Sequence, residues 1–273
     1  MDSKIEPYKG IAATYDEIRP SYPEKLIEDI IYKTGINSSY KLLEIGAGTG
    51  KATIQFAERS FAIHTIELGE DMAEILKVKC RQYEKVTVDV VPFEKWTCKD
   101  NEGYDMIYCA QAFHWLNPKL KYEKCHKLLK DSGYLVLFWY NPCDDNSPKA
   151  RERQNKIDMI VKKYATKFSV KDENSQRREH DGVYKEDERL KEIENSGLFT
   201  LVEKIEYLHE TRNSANEYLK VMKSVPAFAS ILDSLDDMSI SNMNNEIKEV
   251  INGYGGYVSS FLNFSLYITK KMN

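Results

Sequence analysis

The stretch KLLEIGAGTG, Lys41–Gly50, decides the fold of this chain. Its first half, Lys41–Ile45, is a short apolar run of the kind that forms a buried parallel strand. Glycines at positions 46, 48 and 50 follow at once, and a helical pattern begins at Lys51. A glycine-rich turn between a strand and a helix lets a ligand come close to the backbone, because no side chains block it. The stretch therefore predicts a strand–turn–helix unit with a ligand site at the carboxyl end of the strand.

Strand and helix patterns alternate around this stretch from about residue 23 to residue 141. Pro23 is well placed as the first residue of a helix that ends at Gly35. Further strands are predicted at 61–67, 85–91, 105–110 and 134–140, and further helices at 51–59, at 70–83 and from Asn117 to a stop at Gly133. This alternation predicts an α/β fold, an open parallel sheet with helices on both faces.

The alternation stops after Asn141. Residues 142–197 are highly charged, with one helix predicted at Arg153–Tyr164. We interpret them as a partly helical insertion, which forms either a lid over the active site or a mobile segment on the protein surface. Strands at 199–210 and 263–271 and helices at 214–222 and 244–250 are predicted beyond it. The whole chain, 1–273, is expected to form one domain.

Composition disfavours several classes of partner. Of the 273 residues, 39 are Lys or Arg and 43 are Asp or Glu, so the net charge of −4 offers no general attraction for nucleic acid. No apolar run reaches the roughly 18 residues of a membrane-spanning helix, and the start of the chain is too polar for a signal peptide. We expect a cytoplasmic protein with five reduced cysteines and no metal site, because no residue cluster has metal-ligand spacing. Composition predicts no oligomeric state.

Glu67, at the end of the second predicted strand, is the second candidate ligand residue. A carboxylate at this place accepts hydrogen bonds from both hydroxyls of a ribose. Leu68 and Met72 follow it and are expected to cover one face of an adenine. Phe93 and Glu94, after the third strand, are expected to close the other side. These residues together predict an adenosine-containing ligand.

The motifs resemble those of the class I S-adenosylmethionine (SAM)-dependent methyltransferases. LEIGAGTG, from Leu43 to Gly50, is similar to that family's first motif, and IELGEDM, from Ile66 to Met72, to its second. The segments YDEIRPSYP (Tyr15–Pro23) and CAQAFHWLNP (Cys109–Pro118) resemble a small-molecule group that includes the trans-aconitate methyltransferase-like proteins. The resemblance covers about residues 10–141, and the last strand near 265–270 more loosely.

The resemblance implies a Rossmann-like sheet of seven strands, mostly parallel, with the last strand antiparallel. It also implies SAM as cofactor and S-adenosylhomocysteine (SAH) as product. Gln111 would lie near the methionyl part of SAM, and Tyr15 and Arg19 would fold over the cofactor. The methionine end of SAM would be held by Glu44 and by the backbone of Gly46, Ala47, Gly48 and Gly50.

The resemblance further implies a small-molecule acceptor that is methylated on an oxygen atom, for example that of a carboxylate. Methylation of a nitrogen or carbon atom remains an alternative. Trp139 and Asn141, at the end of the fifth strand, are expected to line the acceptor pocket together with Phe113 and Trp115; packing in the core is the alternative for Trp139 and Asn141. His114 is a candidate catalytic base or substrate donor, and an aromatic pocket floor is the alternative. A carboxylate acceptor needs no base, whereas a hydroxyl does.

Two other functions are compatible with the same fold. A nicotinamide-dependent oxidoreductase would also bind its cofactor after the first strand, but it favours G-x-G-x-x-G, and here the third glycine comes one residue early. A non-catalytic module that binds SAM or SAH as a sensor would have the same binding residues as an enzyme. Only the first of these alternatives is disfavoured by the glycine spacing.

Overall fold

The central sheet has seven strands. The computed structural model describes residues 10, 12–98, 103–143, 145, 147–165, 186–223 and 225–272. Its strands are β1 (Lys41–Ile45), β2 (Ala62–Glu67), β3 (Val86–Val90), β4 (Tyr104–Ala110), β5 (Leu129–Cys143), β6 (Phe199–Ser214) and β7 (Tyr257–Lys271). They lie in the order β3-β2-β1-β4-β5-β7-β6, so the chain's first strand is in the middle of the sheet.

The sheet is mostly parallel, and its last strand is antiparallel, as expected. All four neighbouring pairs from β3 to β5 are parallel. Strand β7 runs the other way: Lys271 Nζ donates a hydrogen bond to Leu129 O at the start of β5, whereas the earlier residue Phe264 packs on Tyr140 near the end of β5. The prediction of a seven-stranded Rossmann-like sheet is confirmed.

Ten α-helices are described, besides a short 3₁₀ helix at Phe113–Trp115. They are α1 (Ala12–Ile18), α2 (Glu24–Thr34), α3 (Lys51–Ala57), α4 (Glu70–Cys80), α5 (Lys121–Leu128), α6 (Pro148–Ala165), α7 (Glu186–Ser196), α8 (Ala215–Lys223), α9 (Pro226–Asp233) and α10 (Asp237–Gly253). Right-handed crossovers put α3 and α4 on one face of the sheet and α5 on the other, since β1 leads outward to β2 but β4 leads to β5 in the opposite direction. None of the described helices is long and apolar enough to cross a membrane.

The chain divides into two compact units. The first comprises the described residues within Met1–Tyr140, Gly182–Tyr207 and Phe264–Asn273, and the second those within Asn141–Asp181 and Leu208–Asn263. The core of the first unit includes Leu43, Ile107 and Leu135 of three neighbouring strands, all fully buried. In the second unit α10 packs on α6 and α8, around the buried side chains of Ile157, Met243 and Ile247.

The helix predicted from Asn117 to Gly133 is shorter than expected, and the stop at Gly133 is wrong. Helix α5 ends at Leu128, and β5 begins at the next residue. The pairing of β4 with β5 is shifted between Tyr104 and Met106, so that residues 130–133 form an irregularity within the strand, with Ser132 at φ +67°. Gly133 therefore occupies a bulge of a strand and not the end of a helix.

Three helices, α1, α7 and α9, were not predicted from the sequence. Helix α1 lies in the polar start of the chain, α7 lies in the part of the charged region for which no helix was predicted, and α9 begins at Pro226, where no helix was predicted either. The predicted helix Arg153–Tyr164 is confirmed as part of α6. Within the predicted insertion 142–197, residues 166–185 lie outside the described residues. The hypothesis that these residues form a lid is therefore not tested.

Helix α7, at the end of the predicted insertion, belongs to the first unit. Ile193 is fully buried in the core that also contains Tyr122 of α5 and Phe199 of β6. Lys121 Nζ donates to Glu192 Oε2 at 2.9 Å, which ties α5 to α7. Helix α7, at the end of the charged region, therefore packs against the core of the first unit.

Candidate active site

The glycine loop after β1 has three glycines with three different surroundings. A Cβ added to Gly46 would lie 2.4 Å from Ala112 Cβ, and one added to Gly50 would lie 2.6 Å from Leu76 Cδ1. A Cβ on Gly48 would meet nothing within 4 Å. Gly50, at φ +86°, therefore allows α3 and α4 to pack closely, while Gly48, at φ +56°, leaves open space beside the loop.

Glu67 joins this loop to the end of β2. Its Oε2 accepts a hydrogen bond from Gly48 N at 2.7 Å, and its Oε1 accepts one from Gly69 N at 2.8 Å. The carboxylate is held by two backbone donors at the edge of a cleft. Each oxygen can accept more than one hydrogen bond, so this anchoring is compatible with ribose binding.

A cleft of about 270 Å³ opens at the carboxyl ends of β1, β2 and β4. It lies where the chain crosses from one half of the sheet to the other, the usual ligand position in open α/β sheets. It is lined by Tyr15, Ile45, Gly46, Gly48, Ile66, Glu67, Leu68, Gly69, Asp71, Met72, Val91, Pro92, Phe93, Glu94, Ala110, Gln111, Ala112, Trp115 and Leu116. Nine of the thirteen residues expected to bind cofactor are in this lining.

The loop after β3 is fixed to α5 by Lys124. Its Nζ donates to the carbonyl oxygens of Phe93 and Trp96, both at 2.5 Å. Glu94 Oε1 accepts a hydrogen bond from Asn117 N at 3.0 Å. Three anchors thus fix the part of the cleft that was expected to hold adenine. Lys124 was not expected at the site, because nothing in the sequence indicates that α5 reaches this loop.

A second recess continues the cleft towards α3. Tyr15, Gly46, Gly48 and Ala110 line both spaces. The other residues that line the second recess are Arg19, Pro20, Tyr22, Glu44, Ala47, Thr49, Lys51, Ala52 and Tyr140. Of the expected cofactor residues, Gly50 alone lines neither space; it contributes the close packing on Leu76.

Glu44 is a buried carboxyl group at the base of this recess. Thr53 Oγ1 donates to its Oε2 at 2.5 Å, and Tyr108 OH donates to the same atom at 2.9 Å. Burial raises the pKa of Glu44 to about 8, and the two hydrogen bonds offset only part of that effect. The group is therefore largely protonated at pH 7 until a cation approaches it.

Asp16 links helix α1 to the glycine loop and to α4, beside the second recess. Its carboxylate accepts hydrogen bonds from Thr49 Oγ1, at 2.6 Å, and from Lys79 Nζ, and Lys51 Nζ is 3.7 Å away. Burial raises the pKa of Asp16, but the hydrogen bonds outweigh it and keep the pKa below its ordinary value. This anchoring keeps Tyr15 in the cleft, and the Arg19 guanidinium lies 5.3 Å from the centre of its ring.

Gln111 lies where the cleft meets a third, small recess. It follows β4 with φ +61°, a left-handed conformation that costs a residue with a side chain about 1–3 kcal/mol. Its Nε2 donates to Tyr140 O at 3.1 Å. Gln111 and Ala112 line both the cleft and the third recess. The cleft and the third recess are therefore adjacent at these two residues.

The third recess contains three of the five residues expected at the acceptor. Phe113, His114 and Trp139 line it, together with Cys109, Gln111, Ala112, Phe138 and Arg189. Trp115 instead lines the cleft, and it is 55% exposed. Asn141 belongs to the second unit and is not among the lining residues.

His114 is uncharged in this recess at neutral pH. Burial lowers its pKa to about 4, and the positive charges of Arg189 and Lys121 act in the same direction. Arg189 is 2% exposed and was missed by the sequence analysis, because one arginine of a charged region has no distinguishing pattern. In the part of the chain that the structure describes, no group of three His, Cys, Asp or Glu side chains could hold a metal ion.

The fold and the glycine loop together define a Rossmann-like α/β architecture, and the chain is similar to known methyltransferases. Residues 42–133 match the family model of a methyltransferase domain. An uncharacterized methyltransferase-like protein of Schizosaccharomyces pombe is 29% identical over 170 residues, 60% of this chain and 62% of that protein. The chain spans 55–62% of the length of the first curated relatives that it matches.

A further relative agrees with this similarity, and a solved structure agrees with the fold. A protein of Saccharomyces cerevisiae named as a probable SAM-dependent methyltransferase is 28% identical over 47% of this chain and 45% of its own length. The crystal structure of the YcgJ protein from Bacillus subtilis superposes with a TM-score of 0.55 at 15% identity, covering 92% of this chain and 100% of that one. The matches support a class I SAM-dependent methyltransferase and do not distinguish the trans-aconitate-like group.

Proposed function

We propose that the protein transfers the methyl group of SAM to a small-molecule acceptor. The observation that supports this most strongly is the position of Gln111 and Ala112, which line both the cleft and the third recess. A cofactor in the cleft and an acceptor in the recess would then meet at these two residues. Methyl transfer needs such a meeting point, because nucleophile, methyl carbon and sulfur must lie in line.

In this proposal SAM supplies an activated methyl group on a positive sulfur, so no protein nucleophile is required. Glu67 binds the ribose hydroxyls, while Leu68, Met72 and Phe93 enclose the adenine. Glu44 faces the ammonium group of the methionine end, which favours the ionised carboxyl group. Tyr15 and Arg19 cover the cofactor on the side of α1. The apolar walls exclude water from the transfer.

We further propose that the acceptor atom is an oxygen that needs no deprotonation, such as a carboxylate oxygen. With its pKa at about 4, His114 is a weak base at neutral pH. A neutral imidazole can still donate a hydrogen bond to the acceptor, and this is the role that we assign to His114. We retain the expectation of one methyltransferase domain in a cytoplasmic protein.

Calorimetric titration with SAM, SAH and NAD tests the cofactor. We expect micromolar binding of SAM and SAH and none of NAD; NAD binding alone would indicate an oxidoreductase. Glu67→Gln should weaken SAM binding, whereas Glu70→Gln, on the adjacent α4, serves as the matched control. Tight SAM binding without methyl transfer to any small carboxylic acid would instead favour a sensor module.

A further inference from the structure

Helix α1 forms part of the wall around the cleft and the second recess. Tyr15, on α1, lines both spaces. Arg19 and Pro20, which follow the helix, line the second recess as well. The glycine loop lines the same two spaces through Gly46 and Gly48. A cofactor that fills these spaces would therefore be in contact with α1 as well as with the glycine loop.

Apolar packing contributes little to the position of α1. The helix has seven residues, and Ala12 is the only buried one among the α1 side chains that the structure describes. An alanine side chain is a single methyl group, so its burial stabilises the helix only weakly. A helix of seven residues is also unstable in water by itself. Local detachment of α1 therefore costs much less free energy than unfolding of the sheet.

Asp16 joins α1 to three other segments of the first unit. Thr49 Oγ1, in the glycine loop, donates to Asp16 Oδ1 at 2.6 Å, and Lys79 Nζ, on α4, donates to the same oxygen. Lys51 Nζ, at the start of α3, is 3.7 Å away. The side chains of Asp16 and Lys79 are 22% and 29% exposed, so their ion pair is partly shielded from water and stronger than a fully exposed pair. These contacts are the main link between α1 and the residues around the cofactor site.

The chain after α1 is held firmly, and the chain before it is not. Tyr22 is buried, and its ring packs edge-on against Phe138 with the ring centres 4.8 Å apart. Residues 19–21, between α1 and Tyr22, include no buried side chain. Before the helix, Gly10 N donates to Asp71 Oδ2 at 2.6 Å in an exposed position. Helix α1 can therefore turn about residues 19–21 while α2 and the sheet stay in place.

Building on the proposed function, we propose that Asp16 is a positioning residue that controls the entry and release of SAM and SAH. Helix α1 covers the cofactor while Asp16 binds Thr49 and Lys79, and the cofactor enters and leaves when these contacts break. All the contacts of Asp16 are with protein groups, so they stabilise the closed position of α1 by the same amount with and without cofactor. Movement of such a covering segment is a common rate-limiting step for ligand exchange.

This role has a distinct kinetic signature. Weakening the Asp16 contacts raises the fraction of molecules in which α1 is open, by one factor in the free and in the bound protein. The rate constants of association and dissociation then rise by that factor, and Kd, which is their ratio, stays the same. A residue that stabilised only the bound cofactor would instead raise the dissociation rate constant and Kd together.

The two rate constants are measured on the full-length protein. Release of tritiated SAM into an excess of unlabelled SAH gives dissociation, and stopped-flow mixing with SAH gives association, with the fluorescence of Trp115 in the cleft lining as the signal. Asp16→Asn keeps an oxygen for Thr49 but loses the charge that pairs with Lys79. We expect it to raise both rate constants about 5–20-fold and to leave Kd within about twofold.

Two further variants test the partner and the specificity of the effect. Lys79→Gln should raise both rate constants in the same way as Asp16→Asn. The double variant should be no faster than either single variant, because all three lose the same ion pair. Lys77→Gln, at an exposed position of the same helix α4, is the matched control and should leave both rate constants unchanged.

Hydrogen exchange without ligand gives a measurement that does not depend on the cofactor. Backbone amides of α1 should exchange faster in Asp16→Asn than in wild type, while those of α2 should be unchanged. Faster exchange in α2 as well would mean that this variant loosens the whole unit, and the rate constants of Lys79→Gln would then decide.

The outcomes separate the two proposals. A wild-type protein that binds neither SAM nor SAH refutes the proposed function, and the role of Asp16 in cofactor entry fails with it. If the cofactor binds but both rate constants are the same in wild type, Asp16→Asn and Lys79→Gln, only the role of Asp16 is refuted. A dissociation rate constant that rises while association stays constant refutes it too, because Asp16 then stabilises the bound state alone.

Discussion

Replacing the buried Glu44 by glutamine should change how the stability of the protein depends on pH. Burial raises the pKa of Glu44 to about 8, from an ordinary value of 4.5 that applies in the unfolded chain. Between these two values the folded state keeps a proton that the unfolded state has lost. Raising the pH therefore favours unfolding, and the stabilisation that is present below pH 4.5 is lost as the pH approaches 8.

The change in the free energy of unfolding with pH can be calculated from the one proton that Glu44 holds in the folded state. One group that is protonated only in the folded state changes the free energy of unfolding by about 1.4 kcal/mol per pH unit. From about pH 5.5 to 7.5, wild type should lose about 2–3 kcal/mol relative to Glu44→Gln, which has no proton to lose. The hydroxyls of Thr53 and Tyr108 can rotate to meet the amide, so the variant should fold.

Urea unfolding at three pH values across this range measures the difference. Glu74→Gln, on an exposed part of α4, is the matched control and should follow wild type at every pH. SAH should flatten the wild-type dependence, because its ammonium group favours the ionised Glu44. If the curves of wild type and Glu44→Gln run parallel without ligand, Glu44 does not hold the proton and the argument for its role fails.

The remaining predictions concern the loop and the ligand contacts. Gly50→Ala should lower the free energy of unfolding by about 2–4 kcal/mol in urea denaturation, because of the left-handed backbone and the contact with Leu76; an unchanged stability would contradict this packing. Gly48→Val should abolish SAH binding in calorimetry while the protein stays folded, and retained binding would remove the loop from the site. Glu67→Ala should weaken SAM binding by about 2–4 kcal/mol; no loss would mean that the ribose binds elsewhere. His114→Gln should lower kcat/KM by about tenfold with SAM affinity unchanged, and the wild-type rate should be flat from pH 6 to 8; a rate that rises steeply over this range would identify a base.

The sheet could be predicted from the sequence because each of its inner strands is a short apolar run next to a turn residue. β1 matches its predicted bounds, β2 and β4 differ by one residue at the start, and β3 differs by one residue at each end. The start of β5 could not be predicted in this way. Residues 130–133 are polar and carry a glycine, and only their position opposite β4 makes them part of a strand.

The cofactor side of the site was also accessible from sequence, since its residues follow strands whose ends meet at one edge. The acceptor side was not. Arg189 and His114 are far apart in the sequence. Only the packing of α7 on α5 brings the two side chains to one recess. The anchoring of α1 by Asp16 depends in the same way on Lys79, a contact between residues far apart in sequence.

The position of β7 has a consequence for the order in which the protein assembles. This strand comes last along the described chain, yet it lies between β5 and β6 in the sheet. Strand β6 therefore has no partner in the sheet until β7 has been synthesised and inserted. Such pairing over long sequence separation slows folding and leaves strand edges exposed in the meantime. Synthesis of the final strand, and not of the ligand-binding half, is then the step that commits the sheet to its native form.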